Sequence, residues 1–174
     1  MKTLCDFACA VGLAGCILLV TAQHLYAGAP ETTEIASDLA VVVNGTNPVD
    51  ELSMAELRRI LLGDRRFWRG NVQVKLVLPR VGSRERDKLL TTLVGMSSLE
   101  FARYWKDKVF RGEAPDEPPS LSIDGSSRYV SENPGALAFV AHKNIRADVK
   151  ILRVDGKLPG APGYVLKCPA CQHL

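Results

Sequence analysis

The run Arg80-Val81-Gly82-Ser83-Arg84-Glu85-Arg86 gathers the groups that could recognise a small anion. An oxyanion needs N–H groups, a hydroxyl and a cation, with water largely removed. Leu89, Leu90, Leu93 and Val94 follow at helical spacing, so Gly82-Ser83 reads as a helix start. A helix start offers unpaired N–H groups and the positive end of the dipole. Gly82 lets backbone approach closely, the Ser83 hydroxyl can donate, and Arg80 or Arg84 can fork to two oxygens. The same residues also have a plain structural reading. Ser83 is then an N-cap, Gly82 its turn, and the arginines are solvated. Glu85 would repel an anion held there.

Other polar residues stand where ligands are often found. Asn44, Thr46 and Asn47 follow the first strand, and open α/β sheets bind ligands beyond strand ends. Thr46 and Asn47 are therefore candidates, although ordinary turn chemistry also accounts for them. Ser126 and Ser127, at the start of a short helix, could add donors, with Ser127 the candidate and capping the alternative. Cys168-Pro169-Ala170-Cys171 is a CxxC. Too little chain follows it for a thioredoxin-like helix, and with His173 it supplies three zinc ligands at most. It reads as an exposed, oxidisable tail pair; thiol-redox or metal binding is a third functional reading. His142 has no Ser or Cys nucleophile in a recognisable setting beside it. Trp68 and Trp105 read as core anchors. The cluster Arg65-Arg66…Arg69 lacks the interleaved aromatics of a nucleic-acid groove beyond Phe67 and Trp68. No acid/base pair or nucleophile constellation stands out, so no catalytic residue, metal or cofactor is proposed and the chain reads as a non-enzyme.

The elements that must position these groups alternate. Leu39–Val43 is a continuous apolar run, read as a buried strand of the parallel type. Ser53 and Glu56 form a capping-box pattern before Met54, Leu57, Ile60 and Leu61, and Gly63 stops that helix. Residues 72–78 alternate as one strand ended by Pro79. A second helix runs from Gly82-Ser83 to Gly95. A third starts at Ser97 with another capping-box pattern and carries Phe101, Trp105 and Val109. Residues 112–123 are Pro-rich and acidic, read as a surface loop. Ser126–Asn133 reads as a short helix, 136–141 as a strand, and Val149–Val154 as a strand ended by Asp155-Gly156. Strands alternating with helices imply an α/β fold of packed layers, without internal repeats.

The 174 residues are 47% hydrophobic and 24% charged, with a net charge of +3. That excludes a disordered chain and gives no charge basis for a dedicated nucleic-acid binder. The apolar run from Phe7 to Ala22, preceded by Lys2 and followed by a more polar stretch, reads as a signal peptide, 1–27, cleaved after Ala27. Leu13-Ala14-Gly15-Cys16 spells a lipobox, so lipidation at Cys16 is the minor alternative. Residues 28–38 read as a loose leader, 39–160 as the folded domain and 161–174 as a tail.

A family resemblance joins these pieces. The order Val41-Val42-Val43-Asn44, Asn47-Pro48-Val49, Leu52-Ser53, Glu56 to Gly63 and Trp68 resembles the phosphate-binding solute-binding proteins of ABC importers. Pro134-Gly135-Ala136-Leu137-Ala138-Phe139-Val140 is similar to their Pro-Gly-Ala-Ile-Gly-Tyr-Val strand. Arg80-Val81-Gly82-Ser83-Arg84-Glu85-Arg86 is similar to their Arg-x-x-Gly-Ser-Gly-Thr-Arg phosphate loop, except that Arg84-Glu85 replaces Gly-Thr. The resemblance covers roughly 39–154. It implies a three-layer, periplasmic-binding-protein-like single lobe with a mostly parallel sheet flanked by helices. It further implies a periplasmic or secreted protein that binds phosphate or a similar oxyanion through Arg80, Gly82, Ser83 and Arg84, with an ABC permease as a partner. The alternative is a ligand-free lobe that docks on another envelope protein. Tight binding by one lobe would require a second chain to act as the missing lobe, so a homodimer is a further expectation.

Overall fold

A computed structural model describes residues 38–141 and 145–168, all within the compact unit Thr32–Leu174. The proposed signal peptide, Cys16, His142 and Cys171 lie outside the described residues. In chain order the elements are β1 Leu39–Asn44, β2 Glu51–Leu52, α1 Met54–Leu61, β3 Lys75–Leu76, β4 Leu78–Pro79, α2 Arg84–Val94, α3 Ser98–Phe110, β5 Ser120–Leu121, α4 Ile123–Glu132, β6 Ala136–Ala141, β7 Val149–Ile151 and β8 Arg153–Val154. Among the described residues no helix is long and apolar enough to cross a membrane.

The central sheet has the order β3-β6-β1-β7. Every residue of β1 and β6 is buried, because both faces of the sheet are covered. Leu39, Val41, Val43, Leu137 and Phe139 face one core, filled by Leu57, Ile60 and Leu61 of α1, Leu89, Leu90 and Leu93 of α2, and Phe101 and Trp105 of α3. Ala40, Val42, Ala136, Ala138 and Val140 face the other, with Val130 of α4. The architecture is therefore three-layered, helices–sheet–helix, and the α/β class holds. Each large apolar side chain fully buried in this way contributes roughly 1.5–3 kcal/mol relative to exposure.

Strand direction needs one correction. β3 runs parallel to β6, while β1 is antiparallel to both β6 and β7. Thus β3, β6 and β7 point one way and β1 is the reversed strand between two of them. A continuous apolar run reports burial on both faces, and that is compatible with either direction.

Local signals located the helix ends. Ser53 and Ser97 form reciprocal capping boxes with Glu56 and Glu100. Gly95 ends α2 in the left-handed region. Four boundaries differ from the sequence reading. Residues 72–78 make no single strand: Lys75–Leu76 pairs with β6, and Leu78–Pro79, including the expected terminator, pairs in parallel with β5. β5 lies within the expected loop 112–123. α4 begins at Ile123, capped by Ser122, so Ser126 and Ser127 lie inside the helix. Val149–Val154 is divided between β7, on β1, and β8, which pairs with β2.

The expected tail is part of the core as far as it is described. Tyr164, Leu166 and Cys168 are buried, the Tyr164 hydroxyl donates to the Leu39 carbonyl at 2.8 Å, and Leu39 N–H donates to the Leu166 carbonyl at 2.9 Å. Cys168 is disulfide-bonded rather than an exposed thiol. Asp38, read as leader, is buried and accepts from Gly160 N–H at 2.6 Å.

Candidate functional site

The turn between β4 and α2 is short and fixed. Ser83 N–H donates to the Arg80 carbonyl at 3.1 Å. Gly82, the third residue of that turn, has φ +79°, a value open to glycine and strained for other residues. Ser83 is the N-cap of α2, and its hydroxyl accepts the Arg86 N–H at 3.2 Å. Arg80, Val81 and Gly82 are exposed, and Ser83 is half-buried. Among the described residues the Arg80 side chain has no hydrogen-bond or ion-pair partner. Arg84 is exposed, whereas Glu85 is buried at 7% exposure.

A second helix start lies alongside. β4 and β5 pair in parallel, Leu78 opposite Ser120 and Pro79 opposite Leu121. The chain leaves β4 into α2 and leaves β5 into α4, so both helices begin at the same end of the strand pair. Parallel neighbours are about 4.8 Å apart, so the two exits are adjacent. The α4 cap, Ser122, accepts from Gly125 N–H at 3.2 Å. The positive dipole ends of α2 and α4, which pack on opposite faces of the sheet, therefore both lie at this end of the strand pair, with Arg80 and Arg84 flanking the start of α2. Each start also carries its own acid: Glu85 and Asp87 on α2, Asp124 on α4.

Arg86 lies at this end of the strand pair. It is 6% exposed. Its Nη1 donates to the Pro79 carbonyl at 3.2 Å and to Ser120 Oγ at 3.5 Å, bridging the ends of β4 and β5. Its guanidinium carbon lies 5.8 Å from the centre of the Phe101 ring. Burial pushes it below the ordinary arginine range, against the opposing pull of Asp87 and Glu117. Arg86, Leu89, Leu90 and Leu93 follow i, i+3, i+4, i+7 and so share the buried face of α2.

The other candidates do not join this site. Because β1 is reversed, Asn44, Thr46 and Asn47 lie at the opposite end of the sheet from Ser83. β1 alone spans roughly 17 Å at the usual strand rise. Asn44 Nδ2 donates to the carbonyls of Val130 and Ser131, both at 2.9 Å, at the C-terminal end of α4. Its Oδ1 accepts from Thr46 N–H at 3.0 Å and from Thr46 Oγ1 at 2.7 Å. Asn47 Oδ1 accepts from Val49 N–H at 3.0 Å. These are turn-building bonds beside the negative end of a helix, where an anion is disfavoured. Ser127 is 1% exposed inside α4 and presents no surface donor. Trp68 and Trp105 are buried and hydrogen-bonded to the Gly135 and Leu61 carbonyls, as core anchors should be. Among the described residues no group of three or more His, Cys, Asp or Glu side chains could hold a metal ion.

With this geometry in place, the chain can be set beside known proteins. No family model matches it, and no curated protein matches it in sequence. Solved structures do match in fold. An ABC-type phosphate transport receptor from Vibrio cholerae superposes with a TM-score of 0.55 at 18% identity, over 72% of this chain and 50% of that one. PstS from Borrelia burgdorferi gives 0.60 at 15% identity, over 75% of this chain and 54% of that one. A phosphate-binding protein from Stenotrophomonas maltophilia gives 0.56 at 14% identity, over 72% and 41% respectively. The chain has a periplasmic-binding-protein-like α/β fold. It spans about half the length, or less, of the structures it resembles.

Proposed function

We propose that this protein is a non-catalytic, solute-binding-type protein whose ligand is a small oxyanion, phosphate first. The observation that carries the reading is the parallel pairing of β4 with β5. It brings the starts of α2 and α4 to one end of the strand pair, where the Arg80–Arg84 turn also lies. Arg80, Gly82, Ser83 and Arg84 form the site; Thr46, Asn47 and Ser127 are left out of it. The fold neighbours support the reading, since the Vibrio cholerae and Stenotrophomonas maltophilia structures are by name a phosphate transport receptor and a phosphate-binding protein. Export to the periplasm through residues 1–27, delivery to an ABC permease and completion of the site by a second copy all belong to the same proposal.

A second reading is a ligand-free lobe that docks on another envelope protein. Glu85, Asp87 and Asp124 favour it, because they already complement the two helix dipoles. Calorimetric titration of the purified protein with phosphate, sulfate and chloride separates the two. The oxyanion reading expects saturable phosphate binding with a dissociation constant of order millimolar, about −4 kcal/mol, and no saturation by chloride. Absence of phosphate heat at tens of millimolar would transfer the assignment to the docking lobe.

A further inference from the structure

Arg86 is a buried charge held by no salt bridge among the described residues. Among the described residues no carboxylate is within ion-pair distance of it. Its Nε is buried and has no hydrogen-bond partner. The two bonds it does make, at 3.2 and 3.5 Å, are to neutral oxygens, and the second is at the limit of a hydrogen bond. Ser120 Oγ already donates to the same Pro79 carbonyl at 2.9 Å. The dehydration of a guanidinium is poorly offset by such a set. The carboxylates that act on it electrostatically are Asp87, one residue along α2, and Glu117, in the segment before β5. Phe101 offers only a ring face. The group therefore leaves a positive field in the seam between β4 and β5, at the end from which α2 and α4 start.

We propose that Arg86 is the buried cation of the oxyanion site and selects doubly charged anions over singly charged ones. It acts through its field, while the exposed turn above makes the direct contacts. The inference rests on the oxyanion reading of that site. Its logic is Coulombic. At a fixed distance the attraction scales with ligand charge, so loss of Arg86 must weaken a dianion by twice as many logarithmic units as a monoanion. A residue that merely shaped the turn would affect both alike.

The test compares wild type with Arg86→Met and Arg86→Lys, using hydrogen phosphate, sulfate and nitrate at pH 8 and matched ionic strength. Arg86→Met is expected to weaken phosphate and sulfate about tenfold and nitrate about threefold. Arg86→Lys keeps the charge and should recover most of the dianion affinity. Without anions, Arg86→Met should melt no lower than wild type, since an apolar isostere removes an uncompensated buried charge. Equal weakening of all three anions, or a lower anion-free melting temperature with affinities unchanged, would overturn the proposal and make Arg86 a structural strut. If wild type itself binds none of the three, the oxyanion reading fails first and this inference falls with it.

Discussion

Gly135→Ala is expected to abolish cooperative folding near physiological temperature, or to lower the melting temperature by roughly 10 °C or more. Gly135 has φ +84°, which costs an L-residue about 1–2 kcal/mol on its own. A Cβ at that position would overlap the Gln73 carbonyl oxygen and press on Val72. The Gln73 carbonyl belongs to the backbone and cannot yield cheaply. The Gly135 carbonyl accepts from Trp68 Nε1 at 2.8 Å and from Lys75 N–H at 3.0 Å, which locks β3 and the buried Trp68 to the start of β6. Strain plus displacement of those partners should exceed about 4 kcal/mol, a large share of the usual 5–15 kcal/mol of a domain. A melting temperature within about 2 °C of wild type would show that the β6 start tolerates a side chain and that Gly135 does not hold the β3–β6 junction.

Asn44→Ala is expected to destabilise by about 3 kcal/mol while leaving any anion response intact. The side chain is 6% exposed and makes four hydrogen bonds, two given to the end of α4 and two accepted from Thr46. Alanine removes all four and leaves the carbonyls of Val130 and Ser131 and the Thr46 N–H short of partners. Chemical denaturation gives the stability, and phosphate titration of the same variant gives the response. Preserved stability with a lost phosphate response would reverse the assignment and return the β1 turn to the ligand site.

Asn44, Thr46 and Asn47 follow a buried strand, and in a parallel sheet that end is where ligands bind. The residues that decide the matter are distant. Only the pairing of Leu39 with Ala141 and of Asn44 with Val149 shows that β1 is reversed, and no local pattern encodes it. Helix starts, by contrast, depend on residues three apart. Ser53 with Glu56, Ser97 with Glu100, and Ser83 ahead of Arg86 were therefore legible, and with them half of the candidate site. The other half, the start of α4 beside α2, depends on β5. Two residues inside a Pro-rich segment carry no strand period, so that contribution stayed hidden. After Gly160 the sequence carries a period of two: buried Tyr164, Leu166 and Cys168 alternate with Val165 and Lys167, the pattern of a chain packed on one face. The residue type of Arg86 says surface while its spacing with Leu89, Leu90 and Leu93 says core. That conflict between two levels of the sequence is a mark of a functional position.

The most direct test of the central claim is thermal melting of the protein with phosphate, sulfate or chloride at matched ionic strength, run on wild type, Ser83→Ala and Thr46→Ala. Ligand at 100 times its dissociation constant stabilises by about 2.7 kcal/mol, a shift of several degrees. The oxyanion account predicts that phosphate raises the melting temperature of wild type and Thr46→Ala alike, that chloride does not, and that Ser83→Ala loses most of the rise. A phosphate response that survives Ser83→Ala and vanishes in Thr46→Ala, or no selective response in wild type, would contradict it.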